Sequence, residues 1–453
     1  MGASSSQHAP GTLPAHQQIA IPQDPVPYTG PQIQYCLVDV LAQLSTQVKL
    51  FSTTQMITTN VDQYYQVISQ PYEQGFVMQQ FQKIPGVQSQ AGFSSVAVPY
   101  QAILQRPVNV STHERWQLKI EKSHLQTQAF VNWGPTQQVA ANTTEIQQKI
   151  MEVAAQNGRL ICIEVTGFQR NQQRLFSGVN GISGVDLFFN MPLHPNPTRY
   201  VYQAVNVPIS FKMKSSFPSP VIQMETDVIG QFSAFLNQGW KLVEINFDMS
   251  QHMTQTGFTT VRGAQNSIWF FEKEANRLND IIPVWQGCVV EYMHKVTASF
   301  GGTYAKTGWN EVLTQMGQRG WELACILETP EQIVSFGSVT QKLLMFFQRR
   351  ILSQPQGAPA GYPPSGTPAY PPAGPGGNPP GGAGYPPPGG ASYPPLPVVL
   401  VIPRLAQPVT LHLDLVLLQN PLPHHIIRLL IHQPQVQRKG NPHRQDLSRY
   451  SVA

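Results

Sequence analysis

The sequence has few cysteines and few charged residues. Of its 453 residues, 12% are charged and four are cysteines. The cysteines are Cys36, Cys162, Cys288 and Cys325. They form no Cys-x-x-Cys pair and no secretory signal is recognised at the N-terminus, so we expect reduced thiols in an intracellular protein. Cys162 and Cys325 fall in apolar runs and are predicted to be core residues.

No stretch of the sequence predicts a membrane-spanning helix or a nucleic-acid surface. The most apolar late stretch, residues 396–418, is interrupted by prolines and charged side chains. The net charge of +5 comes mostly from six basic and two acidic residues after residue 353. The preceding part is nearly neutral and lacks the positive field that binds phosphate backbones, so nucleic acid is not an expected partner.

The sequence also lacks the short motifs that mark common catalytic sites. It has no Gly-x-Ser-x-Gly elbow, P-loop, dinucleotide fingerprint or His-Glu-x-x-His pair. We therefore expect no catalytic residue, no metal site and no cofactor.

Proline and glycine are concentrated in one stretch, residues 353–397. The folded part is expected to end near Leu352, and residues 353–453 are predicted to be a disordered tail. Tyr-Pro-Pro recurs in this tail, which makes an SH3-type domain a candidate partner and a plain solvated spacer the alternative. From about residue 396 the composition changes abruptly, and codons read one base out of register restore the Tyr-Pro pattern. A shifted reading frame is our hypothesis for that end.

One pattern recurs four times: an amphipathic helix, a glycine, a bulky residue and an apolar run. The glycines, here called pivots, are Gly75, Gly158, Gly239 and Gly320, spaced by 83, 81 and 81 residues. This even spacing predicts four copies of one unit. A helix that ends in the left-handed conformation needs glycine there, and the next residue packs on its last turn. The pivots, and Phe76, Trp240 and Trp321 after three of them, are thus predicted to be structural.

Strand-like runs flank each predicted helix, so each copy reads β-α-β-β. A three-stranded sheet covered by one helix is marginal alone, and neighbouring copies should share a core. The prediction is an α+β fold of two antiparallel-sheet halves covered by helices. The halves span residues 32–192 and 193–352.

Several segments resemble the conserved region of the raftlin family. They include residues 287–291, 309–330 and 336–342, and the likeness is collinear over roughly residues 35–350. The resemblance implies a peripheral protein of the inner plasma-membrane leaflet, anchored by N-terminal fatty acylation. Such proteins associate with ordered lipid domains and support receptor signalling and trafficking, so membrane lipids and signalling proteins or receptors are the implied partners.

The N-terminus fits this implication. Met1-Gly2-Ala3-Ser4-Ser5-Ser6 matches the N-myristoylation pattern, which makes Gly2 the predicted lipidation site. The family usually has a cysteine beside this glycine for a second acyl chain, whereas this chain has Ala3. Residues 1–31 contain no Lys or Arg. A single myristoyl chain binds a bilayer with an association constant of only about 10⁴ M⁻¹. We expect residues 1–31 to be a disordered tether and the protein to cycle between membrane and cytosol.

Three hypotheses about function follow. The first is a myristoylated, non-enzymatic raftlin-like adaptor at the cytoplasmic side of the plasma membrane. The second is a soluble ligand-binding or enzymatic module in which paired units enclose a pocket with converging polar groups. The third is an adaptor that works through its proline-rich tail.

Overall fold

The structure is a computed structural model. It describes Asp24 and residues 27–48, 54–90, 95–108, 114–130, 136–174, 178–194, 198–214, 221–256, 260–299, 302–305, 308–335 and 337–352. The predicted lipidation site Gly2, most of the predicted tether, and the whole tail from residue 353 lie outside these residues.

The chain passes four times through one order of elements: opening strand, short strand, helix, inner strand and closing strand. Segment 1 contains β1 (Ile33–Val48), β2 (Thr54–Thr59), α1 (Tyr65–Ser69) between two 3-10 turns (Val61–Tyr64 and Gln70–Gln74), an inner strand split into β3 (Val77–Lys83) and β4 (Gln88–Gln90), and β5 (Ser95–Pro107). Segment 2 contains β6 (Trp116–Phe130), β7 (Thr136–Asn142), α2 (Thr144–Ala155), β8 (Arg159–Arg174) and β9 (Gly178–Pro192).

The second half of the chain follows the same order. Segment 3 contains β10 (Tyr200–Lys214), β11 (Val221–Met224), α3 (Val228–Leu236), β12 (Lys241–Gln255) and β13 (Thr260–Glu274). A single 3-10 turn (Ala275–Arg277) follows β13. Segment 4 contains β14 (Trp285–Ser299), β15 (Gly302–Ala305), α4 (Trp309–Gln318), β16 (Glu322–Ser335) and β17 (Ser338–Arg350).

All strands belong to one antiparallel sheet that curls almost into a ring. Within each segment the closing strand lies between the opening and inner strands, and the short strand borders the opening strand. The short strand then reaches the inner strand of another segment: β2 pairs with β8, β7 with β12, and β15 with β4. At the remaining seam β11 lies beside β16, where the Met224 amide donates to Glu331 Oε1 (3.1 Å).

This arrangement corrects the predicted pairing of copies. We expected two separate sheet halves, but the described strands form one sheet in which segment 4 returns to segment 1. The reason is the short strand before each helix, which the β-α-β-β prediction lacks. It supplies a second edge to each segment, so each segment has an edge available for both neighbours.

Each helix covers a core shared with the following segment. Val61 and Ile68 of segment 1 pack with Phe188 of segment 2, and the other three junctions have equivalent clusters. In the last of them Trp309 and Leu313 of α4 pack with residues of segment 1. Burial of apolar area at four such junctions is the main contribution that holds the ring together.

The helix ends show where the pivot prediction is right and where it is off by one residue. Gly75, Gly239 and Gly320 follow their helices with φ of 79°, 80° and 75°. In segment 2 the residue with positive φ is Asn157 (63°), so the prediction of Gly158 as a left-handed pivot is wrong. Asparagine tolerates this conformation better than most residues because its short polar side chain can hydrogen-bond locally.

The residue after each pivot makes the same bond back to its helix. The amides of Phe76, Gly158, Trp240 and Trp321 donate to carbonyls five residues earlier, at 3.0–3.2 Å. Gly158 therefore occupies the position of the bulky residues. Pro71 interrupts the first helical part because a proline ring cannot continue the helix hydrogen bonds.

Candidate functional site: an axial cavity

The inner strands begin at the centre of the ring. A register shift follows Met78, Leu160, Leu242 and Leu323, at the same place in each inner strand. Such bulges bend a strand locally, and beside these bulges the four inner strands contact one another. An open cavity of about 410 Å³ lies there, lined by residues of all four segments.

Two positions around this cavity decide how neighbouring segments are joined. The residues just before the bulge are Val77, Arg159, Lys241 and Glu322. The residues opposite them on the closing strands are Gln105, Asn190, Glu272 and Gln348. Among these eight positions, charged residues occur only in segments 2, 3 and 4. We call the contacts of segments 2–3 and 3–4 the charged junctions. The contacts of segments 1–2 and 4–1 are the neutral junctions.

At the 2–3 junction Arg159 forms an ion pair with buried Glu272. Two guanidinium nitrogens donate to the two carboxylate oxygens: Nη2 to Oε1, and Nε to Oε2 at 3.3 Å. The guanidinium also lies over the Tyr200 ring, 4.3 Å from its centroid. Burial lowers the pKa of Arg159, but the charge of Glu272 outweighs it, and the pKa lies above its usual value. Arg159 is therefore held as a cation.

At the 3–4 junction Lys241 Nζ lies 2.8 Å from Glu322 Oε2 and 4.7 Å from the centroid of the Trp285 ring. Burial raises the pKa of Glu322, but the Lys241 charge and hydrogen bond outweigh it and hold the pKa below its usual value. Gln348 completes the junction: it accepts from the Leu242 amide (3.0 Å) and donates to the Leu242 carbonyl (2.7 Å). One side chain thus replaces a strand-to-strand pair of backbone bonds.

The neutral junctions use hydroxyl and amide groups at the same places. In the 1–2 junction the Tyr72 hydroxyl donates to Asn190 Oδ1 (2.6 Å) and accepts from the Met78 amide (3.2 Å). In the 4–1 junction the Tyr35 hydroxyl donates to the Trp321 carbonyl (2.9 Å) and accepts from the Leu323 amide (2.8 Å). Each tyrosine is partly buried, and its hydroxyl satisfies backbone groups that the bulge frees.

A polar or thiol side chain lies one residue beyond each cavity-lining bulge residue. These four residues, the inner ring, are Gln80, Cys162, Glu244 and Cys325, and all are buried. Each lies five residues after its left-handed pivot. The amide of Phe81 donates to Cys162 Sγ (3.2 Å) and that of Ile163 donates to Glu244 Oε2 (3.3 Å). Each link joins one segment to the next.

Burial sets the chemistry of this ring. It raises the pKa of Glu244 to about 8. Hydrogen bonds from two backbone amides lower this pKa, but they offset only part of the effect of burial. It also raises the pKa of the Cys162 and Cys325 thiols well above their usual value, and the nearby Glu244 adds to both shifts. Glu244 is therefore a protonated carboxylic acid at neutral pH, and the two thiols are inert core residues, as predicted.

The start of the described chain is attached beside this cavity. Asp24 binds Arg319 Nε at 2.8 Å and Arg349 Nη2 at 2.9 Å. Burial raises the pKa of Asp24, but the two guanidinium groups outweigh it and keep the carboxylate ionised. The Arg349 guanidinium lies over the Tyr28 ring, with its carbon 4.5 Å from the ring centroid. The tether prediction for residues 1–31 is therefore wrong at its end, where Asp24 and Tyr28 contact segment 4.

The charged cavity residues and the inner ring were not predicted from the sequence, although their equal spacing in the four segments could have indicated them. Arg159, Lys241 and Glu322 stand at one offset before the bulge, and the inner ring stands five residues after each pivot. Alignment on Asn157 instead of Gly158 brings these positions into register. Of the predicted site residues, Phe76, Trp240 and Trp321 lie at the helix ends around this end of the ring, and Gly2 lies outside the described residues.

Two searches of the described residues gave negative findings. Among them, no helix has the length and hydropathy needed to cross a membrane. The same part of the chain contains no group of three or more His, Cys, Asp or Glu residues suited to a metal ion. Comparison with protein-family models, with curated proteins and with solved structures finds no match to this chain.

Proposed function

We propose that the four segments are copies of one β-α-β-β unit, extended in each copy by the short strand before the helix. The same order of elements, the left-handed residues at 75, 157, 239 and 320, and the bulge at one place in each inner strand support this proposal. A ring of similar units has no exposed sheet edge at most junctions, which favours a rigid body.

The proposed function of this body is that of a non-enzymatic, N-myristoylated adaptor of the raftlin type. It would act at the cytoplasmic face of the plasma membrane in lipid-raft organisation and in receptor signalling or trafficking. The observation that carries the proposal is the N-terminal pattern at Gly2, 22 residues before Asp24. Because Asp24 is bound to segment 4, an acyl chain on Gly2 is joined to the body through a short stretch.

The cavity chemistry supports the non-enzymatic part. The cavity cations Arg159 and Lys241 are each paired with a carboxylate, and burial raises the pKa of Glu244 and of the two inner-ring thiols. Proton transfer needs a group poised near neutral pH that substrate can reach. The described groups act mainly as links between segments.

Exchange of Gly2 tests the anchor. Gly2→Ala leaves an α-amine but removes the N-terminal glycine that myristoylation requires, so the protein should move from the membrane fraction to the cytosol of expressing cells. Ser4→Ala keeps the pattern and serves as the matched control. Unchanged partition of Gly2→Ala would remove the anchor from the account.

A second candidate is a soluble ligand-binding module, favoured by one observation. Gln105 lines the cavity, is buried, and its Oε1 has no hydrogen-bond partner. A bound molecule with a donor group would satisfy this oxygen. A small-molecule screen by thermal shift, repeated on Val77→Trp to fill the cavity from segment 1, tests it. A true ligand should stabilise the wild type and leave the filled variant unchanged.

A further inference from the structure

The loop between segments 3 and 4 presents three large apolar side chains to solvent. It runs from Ala275 to Val284, and the exposed fractions are 48% for Leu278, 80% for Ile281 and 65% for Ile282. Isolated exposed apolar residues are common on proteins, but three within five residues form a contiguous apolar tip. Water contact with this tip is unfavourable unless something covers it.

Hydrogen bonds and an ion pair fix the backbone of this loop at its base. Lys273 Nζ donates to the carbonyls of Gln238 (2.9 Å) and Asp280, and Arg277 Nε lies 3.1 Å from Asp280 Oδ2. These bonds occupy the polar groups at the base of the loop and hold its backbone. The tip therefore projects apolar side chains without a need to reorganise, which lowers the entropy cost of binding.

The loop also lies beside the point where the chain from Gly2 joins the body. Ile351 donates its amide to the Val284 carbonyl (2.8 Å), while Arg349, two residues earlier, binds Asp24. Ile351 and Leu352 are themselves partly exposed. Only 22 residues separate Gly2 from Asp24, so their span cannot exceed about 80 Å even if fully extended. An acyl chain on Gly2 is thus attached to the body at this end of the ring.

We infer that the tip formed by Leu278, Ile281 and Ile282 inserts into the interfacial region of a phospholipid bilayer. The inference rests on the proposed function, because it supplies the second membrane contact that a single myristoyl chain requires. Arg277 lies in the loop and Arg350 lies next to it by contact, and they are paired with Asp280 and Glu274. Arg350 is well exposed, and its guanidinium lies over the Trp285 ring. Cations and an indole beside an apolar tip suit the boundary between headgroups and acyl chains.

The location of the tether selects a bilayer over a protein partner. A protein site would need a complementary groove in the partner, whereas a fluid interface accepts apolar side chains of any shape. The single acidic residue of the loop, Asp280, is paired with Arg277 and so does not repel anionic headgroups. A second copy of this chain is the other occupant that the test must separate.

The experiment uses the full chain, produced with and without a co-expressed N-myristoyltransferase. Partition onto vesicles of phosphatidylcholine and phosphatidylserine is measured by sedimentation for the wild type and for Ile281→Ser with Ile282→Ser. The acylated double variant should bind at least about tenfold more weakly, because two side chains no longer enter the apolar region. The matched control is Val221→Ser with Ile333→Ser, which removes similarly exposed side chains at the other end of the strands.

Three results would overturn the inference. The first is equal vesicle affinity of the loop variant and the wild type, and the second is an equal loss in the control variant. The third is unchanged vesicle affinity with loss of self-association in sedimentation equilibrium, which assigns the tip to a second copy. If Gly2 is not acylated at all, the proposed anchor fails, but the inference about the loop can still be tested. The unacylated wild type must then bind vesicles more tightly than the unacylated loop variant.

Discussion

The charged and neutral junctions solve one packing problem with different chemistry. Both must satisfy the backbone groups that a bulge frees where inner strands meet. The 1–2 and 4–1 junctions use Tyr72 and Tyr35, whereas the 2–3 and 3–4 junctions add the ion pairs Arg159–Glu272 and Lys241–Glu322. The freed amides bind tyrosine hydroxyls at three junctions, with Tyr202 in this role at the 2–3 junction, and the Gln348 side chain at the fourth. The ion pairs are therefore added to a shared solution.

The two kinds of junction should differ most in what happens when one partner is lost. A hydroxyl or amide that loses its partner leaves a neutral group unsatisfied, which costs about 1–3 kcal/mol. Loss of one member of a buried ion pair leaves an uncompensated charge, which costs about 3–5 kcal/mol. The predictions below test this difference and then the finer features of the ring.

The largest effect is expected at the 2–3 junction. Arg159→Met leaves buried Glu272 without its cation and should lower the free energy of unfolding by about 3–5 kcal/mol. Urea denaturation at neutral pH measures the loss. Arg262→Met, which breaks an exposed pair with Glu225, is the control and should cost less than about 1 kcal/mol. Similar losses in both variants would contradict a buried, structural pair.

A smaller effect is expected at the 1–2 junction. Tyr72→Phe leaves the Met78 amide and Asn190 Oδ1 without their hydroxyl partner and should cost about 1–3 kcal/mol. Tyr64→Phe removes an exposed hydroxyl that donates to the Leu41 carbonyl and should cost less. If Tyr72→Phe costs as much as Arg159→Met, the distinction between the two junction types does not hold.

The inner ring should make stability depend on pH. The pKa of Glu244 is raised to about 8 in the folded protein, so the folded state holds this proton more tightly than the unfolded state. Its contribution to stability is present below the unfolded pKa and is lost as the pH rises through about 8. Glu244→Gln keeps the shape without the charge, so its melting temperature relative to wild type should rise between pH 5 and pH 8.

The exposed carboxylate of Glu225 provides the matched control for this titration. Glu225→Gln should show the same pH profile as the wild type over that range. A parallel profile for Glu244→Gln would show that Glu244 ionises in the folded state as readily as in the unfolded state.

The smallest effect is expected at the helix end of segment 2. Asn157→Gly puts glycine at a positive φ and removes a buried Oδ1 that has no hydrogen-bond partner. The free energy of unfolding should therefore rise, by less than about 1 kcal/mol. Gly239→Ala, by contrast, forces a Cβ into a left-handed position near the Ile282 carbonyl and should cost at least about 1–2 kcal/mol. Equal effects at the two positions, measured by thermal denaturation, would contradict the corrected pivot.

Local features of this fold could be predicted from the sequence because they depend on neighbouring residues. Three of the four left-handed pivots, the amphipathic helices and the burial of Cys162 and Cys325 follow from such patterns. The fourth pivot was misplaced because Asn157-Gly158 offers two candidates, and glycine is the stronger conformational signal. The α+β prediction is confirmed in part: the described strands form an antiparallel sheet, and the helices are few.

Closure of the ring could not be predicted in the same way. It depends on short strands such as Val221–Met224 and Gly302–Ala305, which are too short to show alternation. It also depends on which sheet edges meet, and local periodicity does not specify edge pairing. Glu244 was missed because the strand Lys241–Gln255 contains several polar residues, and only comparison at equal distances from the left-handed residues makes this one stand out.

The central claim is that a fatty acid on Gly2 brings this rigid ring to a membrane. Metabolic labelling with a clickable myristate analogue, followed by capture and peptide mass analysis, tests it most directly. The account predicts label on the N-terminal glycine of the wild type and none on Gly2→Ala. A wild-type chain whose N-terminal peptide carries no label in cells would contradict it.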